Sequence, residues 1–113
     1  MAVAVIDAEV VDELVEFAGI EALADLHGLF VTQFAEGLPA MRAELDGGDR
    51  EALSQRAHTL KGTAGYLGLT ALSEALAALE SATDEAALQG VFDRHDEATS
   101  ALDAHDLFGP LRA

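Results

Sequence analysis

Apolar side chains in this chain recur at steps of three and four residues through several long stretches, while strand-forming runs of Val, Ile and Thr are lacking. That spacing gathers the apolar set on one side of a helix. With Ala and Leu prevailing and only two prolines, it points to an all-α fold. Asp7 is placed to cap a short first helix whose apolar face is Val10, Val11, Leu14, Val15 and Phe17, with Gly19 interrupting it. A second helix over 20–45 carries the stripe Ile20, Leu23, His27, Phe30, Phe34, Leu38, Met41 and Leu45. Pro39 lies inside it and removes one backbone hydrogen bond, so a kink or tightened turn is expected there.

Asp46-Gly47-Gly48-Asp49 is the clearest turn, with Asp49 capping a third helix over 49–66. Gly68 is a stop signal. Thr70 is placed to cap a helix over 70–81 lined by Leu72, Leu76 and Leu79. Thr83 is the expected cap of a last helix over 84–106, lined by Leu88, Val91, Phe92, His95, Ala98, Leu102 and His105. The tail 107–113, with Gly109-Pro110, is expected to pack loosely. The expectation is one domain over 1–113, an antiparallel up-down four-helix bundle with the short N-terminal helix laid over one end.

The formal net charge of -15 leaves no basic stripe to neutralise phosphates, which argues against nucleic acid as a partner. There is no cysteine, hence no disulfide and no thiolate metal site. The opening MAVAVI lacks a basic leader and a cleavage site, and no apolar run approaches the ~18 residues of a membrane span. A cytoplasmic protein without membrane contact is expected.

In the third stretch the inward stripe is Leu53, Ala57, Leu60, Ala64 and Leu67. At roughly 100° per residue, His58, Lys61, Gly62 and Gly65 fall together on a different, outward side. A mid-helix Gly costs about 1 kcal/mol relative to Ala, so two on one face require a reason. Access to the imidazole supplies one. Lys61 is the sole lysine of an acidic chain and stands one turn from this histidine. His27, His95 and His105 lie on or beside apolar stripes and read as structural. A metal site built from His95, His105 and nearby acids would need a ligand spacing that does not recur in known sites.

The run His58-Thr59-Leu60-Lys61-Gly62, with Ala57 before it, Gly68 ten residues after the histidine and Leu79-Glu80 closing the next helix, resembles the histidine-containing phosphotransfer (HPt) domain. Such four-helix modules carry phosphoryl groups between receiver domains of multistep phosphorelays. The resemblance implies that His58 is the phosphoacceptor and that Lys61 offsets the phosphoryl charge. It also implies that Gly62 leaves room for the partner's active site. Glu80 matches a position where members set a polar or acidic side chain against the other ring nitrogen. An ordinary solvated or Lys61-pairing role for Glu80 stays open beside that one. The implied partners are response-regulator receiver domains and a hybrid histidine kinase, met transiently by a monomer, with Tyr66 and Leu67 near the contact. Mg²⁺ is expected on the receiver, with no cofactor on this chain.

The segment GTAGYLG lacks both the Walker spacing and a preceding strand, so the chain has no ATP site of its own and is a carrier, not an enzyme. One alternative keeps the chemistry and changes the donor, a histidine kinase acting in trans. Another is an acidic helical interaction module whose His58 is never modified. The histidine-bearing helix of a dimeric sensor kinase is disfavoured, because Thr59 and Thr63 stand where an acid and a proline are usual.

Overall fold

In the computed structural model, which describes residues 4–112, each of three helices starts where a carboxylate takes up an orphan amide. Asp7 accepts from Glu9 N at 3.0 Å, Asp49 from Ala52 N at 3.1 Å and Asp84 from Ala87 N at 2.8 Å. The helices are α1 (Ala8–Asp46), α2 (Arg50–Tyr66), α3 (Thr70–Ala82) and α4 (Glu85–Ala104), followed by a 3-10 turn, Gly109–Arg112. No strand occurs among the described residues.

Gly19 interrupts α1 with φ 87° and ψ 168°, the non-helical backbone inside that span. Pro39 causes no such departure, so the break in α1 lies at the glycine and not at the proline. Val11 before the break is buried, whereas Phe17 is 83% exposed and leaves the apolar face expected of it. The reason is angular. Six residues at roughly 100° each turn Phe17 well away from Val11.

Two further capping assignments change. Thr70 is the first residue of α3, not its cap. Leu69 holds that place without a side-chain bond, and the Thr70 hydroxyl points back to Gly68 O at 3.4 Å. Thr83 ends α3 instead of starting α4, in the left-handed region at φ 48°, with its amide on Leu79 O. That backbone is uncommon for a β-branched residue. Asp84, one position on, is left to cap α4.

Apart from Ile20, which is 48% exposed, the expected stripes form the core. Leu23, Phe30, Phe34 and Met41 of α1 meet Leu53, Ala57, Leu60 and Ala64 of α2, Leu72, Leu76 and Leu79 of α3, and Leu88, Val91, Ala98 and Leu102 of α4. Gly37 brings α1 and α2 together, since a Cβ there would stand 2.9 Å from Leu60 Cδ1. At the α2–α3 turn, Gly68 (φ 73°) accepts the Asp7 amide at 2.7 Å, and a Cβ on it would meet Asp7 O at 2.8 Å. The N-terminal segment is thereby fastened to the turn that follows the His58 helix.

The tail is not loose. Phe108 is fully buried, its ring 5.7 Å from that of His27 and 5.0 Å from that of His105. His95 stacks on Phe34 at 5.3 Å, and half-burial lowers its pKa despite nearby Asp96. These three histidines are packing residues of the α1–α4 side.

Candidate functional site

Because α2 turns Leu53, Ala57, Leu60 and Ala64 inward, it must turn His58 outward, and the His58 side chain is 67% exposed. Gly62 and Gly65 are exposed too. A Cβ on Gly62 would meet nothing within 4 Å, and one on Gly65 only Ser73 Oγ at 3.8 Å. Neither glycine serves packing inside the bundle. What they leave is bare backbone beside the imidazole, open to whatever approaches.

The second half of the site comes from α3. Its inward stripe ends at Leu79, which sets Glu80 on the flank facing α2. The Glu80 carboxylate spans two α2 side chains, one per oxygen. Oε2 lies 2.9 Å from His58 Nδ1, and Oε1 accepts from Lys61 Nζ at 2.6 Å. The two readings of Glu80 are therefore not alternatives, since it meets the ring and the ammonium together. The pairing with Lys61 holds the Glu80 carboxyl below its usual range, against partial desolvation, and the bond to His58 adds to this.

A ring nitrogen facing a carboxylate carries the proton, because a lone pair there would be repelled. The neutral tautomer favoured by Glu80 is thus Nδ1–H, with the lone pair on Nε2.

Two of the arginines are engaged elsewhere. Arg56, two residues before His58, is bound through Nε and a terminal nitrogen to Glu44 of α1. Arg42 joins Asp46 to Glu85. Lys61 is the cation placed at the histidine. Tyr66 is 68% exposed, but Leu67 is fully buried, so Leu67 offers nothing to a docking partner. Its place on the inward stripe explains that.

Among the described residues, recesses of about 610 Å³ and about 420 Å³ open between α1 and α4 and between α1 and α2. His58, Lys61 and Glu80 line neither. The imidazole is exposed on α2, outside both of these recesses. Among the described residues no group of three or more His, Asp and Glu side chains is arranged to hold a metal ion.

A family model described as the Hpt domain matches residues 25–107, most of the chain. The chain belongs to the Hpt domain family. An Hpt domain is a phosphotransfer module of two-component signalling built as a helical bundle, and the match spans α2 and α3 with the His58–Glu80–Lys61 cluster inside it. No curated protein and no solved structure gives a significant match. None of the described helices is long and apolar enough to cross a membrane. One group in this Hpt domain had no sequence signal: Ser54, whose hydroxyl donates to the main-chain oxygen of Glu80 at 2.8 Å.

Proposed function

We propose that His58 is the phosphoacceptor of a phosphorelay carrier that takes its phosphoryl group from the aspartyl phosphate of a receiver domain and passes it to another receiver. The observation that carries this reading is the Glu80 carboxylate at 2.9 Å from Nδ1 of an exposed ring, which leaves Nε2 bare. In the forward step Nε2 forms a bond to phosphorus as the bond from phosphorus to the aspartyl oxygen breaks, and the carboxylate departs with its electron pair. The ring gains positive charge, shared with the N–H that faces Glu80. Lys61, one turn along α2 and paired with the carboxylate that faces the ring, offsets the phosphoryl charge, and transfer onward reverses each event.

The receiver supplies Mg²⁺ and most of the electrostatic stabilisation of the moving group. This chain contributes a nucleophile in one tautomer, one cation and the clearance at Gly62. The bundle itself we take as up-down and antiparallel, supported by the three-residue turns Gly47–Asp49 and Leu67–Leu69, with the segment before Gly19 as its additional short helix. A cytoplasmic monomer that meets receivers and a hybrid histidine kinase in turn fits a modest, transient contact around His58 and Tyr66.

The test is transfer from a phosphorylated receiver to the full chain, followed by acid-labile phosphate mapping. Wild type is expected to carry label on His58, and His58→Gln to carry none while keeping its helical circular dichroism. Full labelling of His58→Gln would end the assignment.

A further inference from the structure

Glu80 is held at both its ends by the helix that carries the histidine. It sits three residues before the end of α3 at Thr83, among the carbonyls that a helix leaves without an intrahelical partner. The Leu79 carbonyl is taken by the Thr83 amide at 2.9 Å. The Glu80 carbonyl is taken by Ser54 Oγ at 2.8 Å, across the α2–α3 seam. Ser54 is one turn before His58, and Lys61 one turn after it. Three successive groups of one α2 face therefore meet a single residue of α3. Ser54 reaches its main chain, while His58 and Lys61 reach its carboxylate.

A second hydroxyl tie joins the same helices, from Ser73 Oγ to Lys61 O at 3.4 Å. It is longer and touches neither Glu80 nor the ring. Ser54 is half-buried and bonds the backbone of the residue whose carboxylate faces the imidazole. The Ser54 bond is thus the side-chain tie from the histidine-bearing helix to the main chain of Glu80, and a displacement of that main chain carries the carboxylate with it.

We propose that Ser54 is a positioning residue for His58. Through the Glu80 carbonyl it sets where the carboxylate stands, and thereby which ring nitrogen holds the proton. The inference rests on the phosphoacceptor reading only for its consequence. Its immediate effect, the tautomer of His58, exists whether or not the ring is ever phosphorylated.

The experiment uses the full chain with 15N-labelled histidine and reads the His58 ring nitrogens by long-range proton–nitrogen correlation at neutral pH. Wild type is expected to favour Nδ1–H. Ser54→Ala is expected to raise the Nε2–H share about threefold to tenfold, the range covered by one neutral hydrogen bond. Phosphorylation by phosphoramidate, a small donor that needs no receiver, is expected to slow in proportion to the Nδ1–H share that is lost. Ser54→Thr keeps the hydroxyl and restores both readings, and Ser73→Ala leaves both at the wild-type level even where it lowers the melting temperature. A Ser54→Ala chain with the wild-type tautomer ratio overturns the proposal, whatever its stability. Failure of the wild type to accept phosphoryl from any donor would count against the phosphoacceptor reading alone, because the tautomer measurement still decides the role of Ser54.

Discussion

Glu80 lies 2.9 Å from His58 across the seam between two helices, although the two residues are twenty-two positions apart in the chain. The same carboxylate is ion-paired with Lys61 at 2.6 Å, so a cation and an imidazole share one acceptor. Glu80→Gln keeps the size and one acceptor oxygen but removes the charge that both neighbours use. A charge-assisted bond is worth about twice a neutral one, so acceptance of phosphoryl at His58 is expected to slow about tenfold. Lys61 loses its anchor in the same variant. The phosphohistidine lifetime, followed by loss of acid-labile label, is therefore expected to change along with the rate. Unaltered rate and lifetime together would mean that the carboxylate does nothing for the ring.

Gly62 separates stability from function. A side chain there meets no atom within 4 Å, so the fold has room for one. Replacing a mid-helix Gly removes a helix penalty of about 1 kcal/mol. Gly62→Gln is thus expected to unfold at a higher temperature than wild type while losing most of its affinity for a phosphorylated receiver. Thermal unfolding followed by helical circular dichroism gives the first quantity, and a binding titration the second. A variant that melts higher and still binds fully would show that the partner does not approach over this backbone.

The helices and their inward stripes were legible because a period of three to four residues survives any tertiary detail. The outward face of His58 followed from the same period. What the sequence did not reveal is set by contacts between elements. Thr83 and Asp84 are both competent caps, and the choice between them depends on a left-handed backbone at Thr83 that composition does not encode. Gly37 looks like a weak point in α1 until Leu60 is seen against it. At the site, the resemblance to the HPt domain suggested a carboxylate near the histidine, but only geometry joins Lys61, His58 and Ser54 on Glu80.

The tail offers a direct test of packing. Phe108 is fully buried between the rings of His27 and His105, beyond the end of α4. Removing such a ring costs roughly 3–5 kcal/mol. Phe108→Ala is expected to fall in that range in urea unfolding. Tyr66→Ala, which removes an exposed ring, is expected to change stability by about 0.5 kcal/mol or less. A Phe108→Ala chain as stable as wild type would mean that the last residues do not close the core.

His95 gives the bundle a pH dependence of definite sign. Its ring lies against Phe34 and Phe30, and burial lowers its pKa while Asp96 opposes the shift. In the unfolded chain a histidine titrates near ~6.5. Between the folded and unfolded values the unfolded chain binds more protons, so stability rises with pH through that interval. The contribution is fully present above the unfolded value and is lost as pH falls through the depressed folded one. Glu80, whose own folded value is lowered, behaves likewise but in the carboxylate range, well below this window. Urea midpoints taken from pH 7.5 down to pH 5.5 (conditions chosen around the ~6.5 of free histidine) are expected to decline in wild type. His95→Phe keeps an aromatic ring against Phe34 and removes the proton site, so its decline is expected to be shallower. Parallel declines in the two proteins would mean that protonation of His95 costs the fold nothing.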